Sequence, residues 1–516
     1  MTRRAERWRT PLAGVFSGLL FALAFPPFEW VVLLPLALVP WLVALAWEQS
    51  RGRALWSGVL FGIAYWCASI PWIEYVVTRY GGQPGPMGVV CLVLLSLILA
   101  EWPALVAWGA VASAPVGSPW RLAVFPLLWM SSEHVRAELA YGGVPWNLVG
   151  HALYRHPVWL QSASVWGVYG VGALAVGLSA LLAAGITTGR MRPILSAALL
   201  VLGAGVWGTV RLAAERPEHP ELALVLLQPN LTEEMRASPE GAAQTYRAVL
   251  AQAREAADED PALIVIPESA LPVYWNRSFA LRQDLATIAH GGPSILFNDV
   301  EEDSDGRYYN VARLLASGGL AGGPYRKVHL VPFGEYVPLP RVFFFVRQIS
   351  TEIGAFTAAP APAVLRSGAL AIGTAICYET TYPSLARRQA ADGANLLATI
   401  SNDSWYGRGG AQEQHFAGAV LRSVENDRYL VRAAITGISG IVDPRGRILA
   451  ETRANERTLV RGNVRLEAGR TAWNRWGFRI PVAADVLAAA VLLFGLVRWV
   501  RSRRLTAHDS RPTTSR

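Results

Sequence analysis

Three side chains in this chain have types suited to nucleophilic chemistry: the carboxylate of Glu268, the amine of Lys327 and the thiol of Cys377. Glu268 closes the apolar run IVIPES. A carboxylate there is either a helix cap or a group held in poor solvent, where its pKa rises and it can take a proton near neutral pH. Lys327, within GPYRKVHLVPFGE, is the only lysine among 47 basic residues, so arginine serves wherever positive charge alone is needed. This position points to a need for an amine, because a compact ammonium approaches a single developing oxyanion more closely than a planar guanidinium does; a surface lysine left by chance is the alternative. Cys377 follows LAIGTAI and precedes YETTYPSLARR. A thiol at such a strand-to-helix turn meets backbone donors and the positive end of a helix, which predicts a pKa lowered toward the thiolate. An inert buried cysteine is the alternative.

These residues need a scaffold, and the stretch from about 221 to 465 supplies one. LALVLLQPN, ALIVIPES, SILFNDV, LAIGTAICYE and NLLATISNDSW are apolar blocks of strand length that end in polar or turn-forming residues. Such blocks predict strands buried on both faces. Residues 239–258 and 411–428 carry apolar positions at spacings of three and four, so strands and amphipathic helices alternate in an α/β layered domain with function at the strand ends. The alanine-proline run at 358–363 reads as a loop, and the Ser/Thr/Arg-rich tail after 504 as unstructured.

The rest of the chain is apolar at lengths that cross hydrocarbon. Eight stretches qualify, at about 11–27, 29–47, 54–77, 88–112, 121–138, 163–187, 193–212 and 481–500. Glu133, His134 and Arg136 interrupt the fifth, so its end faces a protein interior or an aqueous edge. Arginines fall at 3, 4, 7 and 9, at 51 and 53, at 190 and 192, and at 498, 501, 503 and 504. With eight spans these clusters share one side, the cytoplasmic one, which places the α/β domain on the other. The net charge of +9 therefore reports orientation rather than nucleic-acid binding. The expected organisation is a membrane domain over 1–215 with about seven spans, a catalytic domain over 216–470, a last span over 478–502 and a basic tail over 503–516. Cys67 and Cys91 lie within spans and Cys377 stands alone, so no disulfide framework is expected. No C-x-x-C, H-x-x-x-H or H-E-x-x-H occurs among the three cysteines and eight histidines, so a metal site has no support.

Glu268, Lys327 and Cys377, in IPES, RKVHLVPFGEYVP and ICYE, resemble the Glu-Lys-Cys triad of the nitrilase, or carbon-nitrogen hydrolase, superfamily. HLVPFGE, with PWIEYVVTRYGGQPGP at 71–86 and GGVPWNLVGHAL at 142–153, is similar to its membrane-embedded branch, the apolipoprotein N-acyltransferases. The resemblance covers all but the extreme termini. It implies a polytopic α-helical membrane domain joined to an α/β nitrilase-like αββα sandwich, in a multi-pass protein of the bacterial plasma (inner) membrane with both termini cytoplasmic. It implies an acyl chain taken from a membrane phospholipid and passed to the α-amine of an apolipoprotein's lipidated N-terminal cysteine, with no cofactor and no nucleic-acid partner. Glu268 would be the base, Cys377 the nucleophile that carries a thioester, and Lys327, with a backbone N–H near Cys377, the oxyanion partner. Glu335 would orient Lys327 or share in proton transfer. Tyr378 and Glu379 match the pair after the nucleophile, Asn310 a supporting asparagine, and Asn402 and Trp405 a turn that shapes the pocket.

The chain departs from the family pattern at three positions. Pro229 stands for a glycine, Ala237 for a tryptophan thought to help hold substrate, and Ile435 for an asparagine. The adjacent phenylalanines Phe343–Phe345 either pack in the domain or form a lipid-facing lid. Three other readings remain open: an amidase acting on a soluble amide, a transporter with an inactive external domain, and a Cys-His site using His329 or His415.

Overall fold

The computed structural model describes residues 3–216, 219–236, 238–337, 356–407 and 409–509. Ala237 and Phe343–Phe345 lie outside the described residues.

Among the described residues four helices are long and apolar enough to cross a membrane: Gly85–Ser113, Ala163–Thr188, Met191–Ala213 and Arg479–Arg501. The bent pair Arg51–Ser69 and Trp72–Arg79, 63° apart, makes a fifth if it is one span. The stretch at 29–47 is broken into a 3-10 turn and two short helices, Leu34–Ala37 and Val39–Trp47. The stretch at 121–138 changes to a π-helical turn at Val135–Leu139, and there Glu133, His134 and Arg136 are buried in protein. Leu195, Leu199, Leu202, Val486, Leu487 and Phe494 point outward from two of the long helices, as lipid-facing side chains do. The last helix continues to Asp509, through the start of the tail read as unstructured. Gly167, at φ +66°, kinks Ala163–Thr188 and lets the buried Trp473 indole close in; a Cβ there would come within 2.6 Å of Trp473 Cζ3.

The second half folds around two sheets. Its strands are β1 (Glu221–Gln228), β2 (Leu263–Val265), β3 (Ser294–Glu302), β4 (Tyr308–Ala316), β5 (Gly319–Leu320), β6 (Tyr325–Arg326), β7 (Val364–Ser367), β8 (Leu370–Ile376), β9 (Leu396–Ser401), β10 (Leu430–Ala434), β11 (Gly440–Val442), β12 (Ile448–Glu451) and β13 (Thr458–Arg465). One sheet runs β13-β1-β2-β3-β4-β5 with β6 also on β4, and the other runs β12-β11-β10-β9-β8-β7. The middle pairs β1/β2, β2/β3, β8/β9 and β9/β10 are parallel. Parallel strands are covered on both faces, which is why their sequences read as unbroken apolar runs.

Leu224, Leu226, Leu263 and Val265 of one sheet meet Ile372, Ile376, Ile400 and Val431 of the other in a common interior. Helices Pro239–Ala257 and Phe279–Ala289 cover the outer face of the first sheet through Val249, Leu250, Leu281 and Leu285. Helix Ala411–Asn426 covers the second sheet, and Phe416, Val420, Leu421 and Val424 pack both on that sheet and on Leu148, Tyr154, Leu160 and Val168 of the N-terminal half. The α/β sandwich therefore rests its fourth layer on the helical region.

Candidate active site

Cys377 follows β8 directly and opens the 3-10 turn Cys377–Thr381. Its φ is +53°, a left-handed backbone that a β-carbon disfavours and that surrounding contacts must hold. Glu268 lies three residues past β2, followed by Ser269 at φ +56°. Asn402 follows β9. All three stand at the ends of parallel strands, the edge where open α/β sheets place their ligands. Lys327 comes just after β6, and its backbone N–H donates to the Asn310 carbonyl at 2.9 Å.

A chain of polar groups joins these ends. Lys327 Nζ donates to Glu335 Oε1 at 2.9 Å and stands 3.7 Å from Glu268 Oε1. Asn310 Nδ2 donates to both carboxylates, at 3.0 Å to Glu268 and 2.9 Å to Glu335, while Asn298 Nδ2 donates to Asn310 Oδ1 at 2.7 Å. Glu268 Oε2 accepts the Asn402 backbone N–H at 2.9 Å. The second Glu335 oxygen accepts the Val331 N–H at 2.8 Å, so the loop after Lys327 folds back over its own carboxylate. Glu335 is therefore the nearer of the two carboxylates around the amine.

Glu379 does different work. Its Oε1 accepts the N–H groups of Val328 and His329, at 2.7 and 2.9 Å, and its Oε2 accepts the Ile376 N–H and the Tyr325 hydroxyl, at 2.9 and 2.7 Å. One buried carboxylate thus ties the lysine segment to the cysteine turn. Burial pushes it up to about 7, against donors that favour its ionised form. The neighbouring Tyr378 hydroxyl reaches the Gly143 carbonyl at 3.3 Å. Asn402 Nδ2 donates to Glu233 at 3.0 Å, and the Trp405 ring packs on Tyr80, centroids 4.6 Å apart. The turn 402–406 is thereby set against Tyr80, at the end of the short helix Trp72–Arg79.

The electrostatics correct one expectation. Burial, then the charge of Glu268, push the Cys377 thiol well above the usual range despite Lys327, so the turn does not lower it. The reason is depth: Cys377 sits within the apolar interior between the sheets, where a lone thiolate is poorly solvated. Burial likewise raises the Glu268 carboxyl; Lys327 opposes this and Glu335 adds to it. Burial alone would lower the Lys327 ammonium, but Glu335 and Glu268 outweigh it and hold the amine charged. The resting site is therefore a thiol beside a base of raised pKa and a fixed cation.

Sequence reasoning missed the layer beneath the cysteine. His415 Nε2 lies 3.0 Å from the Cys377 carbonyl oxygen, and Nδ1 lies 3.0 Å from Asp403 Oδ1 and 3.2 Å from Arg432 Nη2. Ser401 and Arg432 donate to Asp403 at 2.6 and 2.5 Å. Asp403, His415 and Arg432 are all fully buried. Cys377, Asp403 and His415 each offer an atom within 4.8 Å of the others, a set that could hold a metal. The Asp403 oxygens and His415 nitrogens are already committed to the partners above, so the cluster works as a hydrogen-bond network. His329 stacks on Tyr382 with centroids 3.9 Å apart, and burial pushes it down to about 4. Neither histidine is placed as a base for the thiol.

Of the departures, Pro229 is buried, and the following Asn230 N–H donates to the Ile435 carbonyl at 2.8 Å. Ile435 joins the apolar cluster of Leu231. The chain after Pro229 is thus tied to Ile435 through the backbone of Asn230.

Two sheets with a Glu-Lys-Cys centre between them define a carbon-nitrogen hydrolase, and the model of that family, "Carbon-nitrogen hydrolase", matches residues 222–472. A second model, "Apolipoprotein N-acyltransferase N-terminal domain", matches residues 17–181. Apolipoprotein N-acyltransferases of Geobacter metallireducens and Methylococcus capsulatus are 34% and 31% identical to this chain; they cover 94% and 97% of it, and it covers 95% and 98% of them. The chain belongs to the apolipoprotein N-acyltransferase family, and it is an acyltransferase enzyme with apolar helices of membrane-spanning length. Among solved structures, Nit3 of Saccharomyces cerevisiae, a nitrilase-superfamily member, is 20% identical, with 49% of this chain and 93% of that one covered at a TM-score of 0.38.

Proposed function

We propose that the protein moves an acyl chain from a membrane glycerophospholipid to the α-amine of the lipidated N-terminal cysteine of an apolipoprotein, by way of a thioester on Cys377. The observation that carries this reading is the Lys327–Glu335–Asn310–Glu268 chain, which holds one cation and one base in a buried site whose wall includes Gly143 of the helical region. Cys377 Sγ attacks the ester carbonyl while Glu268 takes the thiol proton, and Lys327 stabilises the tetrahedral oxyanion. Collapse breaks the carbon–oxygen bond, Glu268 returns the proton to the leaving oxygen, and a lysophospholipid departs. The amine then attacks the thioester, Glu268 takes the amine proton, and the expelled thiolate is reprotonated. The kinetics are ping-pong.

In this reading residues 1–215 and 478–502 lie in the plasma (inner) membrane, residues 216–470 form the extracytoplasmic catalytic domain, and 503–516 with the N-terminus face the cytoplasm. The arginine distribution supports that orientation. Intact-mass analysis after incubation with phospholipid tests the chemistry. The wild type gains a hydroxylamine-sensitive acyl adduct and Cys377→Ser gains none of that sensitivity; an equally labile adduct on the variant removes Cys377 from the mechanism.

A further inference from the structure

Gln414 and His415 are consecutive residues in the first turns of Ala411–Asn426, and the amphipathic pattern of that helix gives neither a role. Gln414 uses every hydrogen-bonding position of its amide. Its oxygen accepts the indole N–H groups of Trp72 and Trp146, at 3.1 and 2.7 Å, and its nitrogen donates to the carbonyls of Pro26 and Ser69, at 2.8 and 2.7 Å. Indoles only donate and these carbonyls only accept, so the orientation of the amide is fixed. Three separate segments of the helical region, around Pro26, Ser69–Trp72 and Trp146, therefore converge on one side chain of the catalytic domain.

The next residue points at the nucleophile. His415 Nε2 faces the Cys377 carbonyl, an acceptor, so that nitrogen carries a proton and donates. Cys377 is the residue whose left-handed φ must be held from outside. The Trp146 ring closes the arrangement, with centroids 5.5 Å from His415 and 6.2 Å from Tyr378.

We infer that Gln414 and His415 are positioning residues through which the membrane helices fix the backbone of the nucleophile. The inference rests on the reading of Cys377 as the acylated residue. It gives the helical region a part in the chemistry beyond anchorage: displacement of Trp72 or Trp146 would be felt, through two adjacent side chains, at the reacting thiol.

The test uses the full chain in lipid nanodiscs with two readouts, the single-turnover rate of thioester formation from phospholipid and the rate of Cys377 alkylation by iodoacetamide. His415→Ala lowers both by about 10- to 100-fold, the range for a lost buried hydrogen bond, with KM for phospholipid unchanged. His415→Gln, which keeps a donor near Nε2, recovers to within about threefold of wild type. Gln414→Leu lowers both rates in the same direction, and the double variant Gln414→Leu/His415→Ala is no slower than His415→Ala, because the two act in series. Wild-type rates in His415→Ala, no recovery in His415→Gln, or multiplied losses in the double variant overturn the inference. Alkylation is read without acyl chemistry, so failure of the thioester reading would show separately, as acylation absent from a wild-type enzyme whose Cys377 still alkylates.

Discussion

Glu335→Gln removes one negative charge from the lysine and leaves its shape. Lys327 Nζ is 2.9 Å from Glu335 and 3.7 Å from Glu268. At an effective dielectric of about 20 these distances correspond to roughly 6 and 4–5 kcal/mol of attraction, so Glu335 holds the larger share. A glutamine keeps one neutral hydrogen bond of about 1 kcal/mol, and its amide nitrogen would oppose the Val331 N–H that the carboxylate now accepts. Structural relaxation reduces the cost of breaking such a buried pair to about 3–5 kcal/mol. Lys327 then moves toward Glu268, the base is neutralised by its neighbour, and acylation slows by about 10²- to 10³-fold. The pH profile gives an independent sign. Glu268 must be ionised to act, so the rate falls as pH drops through its raised pKa, and removing the Glu335 charge lowers that pKa and moves the acid limb to lower pH. Rapid-quench intact-mass kinetics across pH measure both effects. Acylation within threefold of wild type, or an acid limb moved upward, would refute the reasoning.

Lys327→Arg retains charge but not the point contact in a site where the amine is fully buried; thioester formation should drop at least about 10²-fold with the fold intact by circular dichroism. Burial alone would raise the Asp403 carboxyl, but Arg432 and then His415 hold it well below the usual range, so its contribution to stability is complete above about pH 4 and lost on further acidification. Thermal unfolding in detergent should thus be less acid-sensitive in Asp403→Asn below pH 4, although less stable at neutral pH. Gly167→Ala would set a Cβ against the Trp473 ring at positive φ, and should cost about 2–3 kcal/mol, read as a lower Tm.

The strands that carry Glu268, Cys377 and Asn402 were legible because parallel strands buried on both faces leave apolar runs of strand length. β4–β7 and β10–β13 were not read, since several are short and Arg313 and Arg432 interrupt two of them. The triad and Glu335 could be named from residue type and resemblance. The state of the thiol could not, because local sequence reports a turn but not how deeply the turn is buried. His415 could be named only as a candidate partner for the thiol, and its links to Asp403 on the turn after β9 and to Arg432 on β10 stayed hidden for a related reason. Polar residues on an amphipathic helix read as a solvated face, and nothing local shows that a second set of helices covers that face.

That covered helix bears on how the chain can be handled. Phe416, Val420, Leu421 and Val424 are sealed by Leu148, Tyr154, Leu160 and Val168, so a truncated polypeptide beginning near residue 220 would emerge with a greasy flank bare to solvent. Expressed alone in a cytosol, that fragment would cluster with itself, so any purification must keep the two halves together.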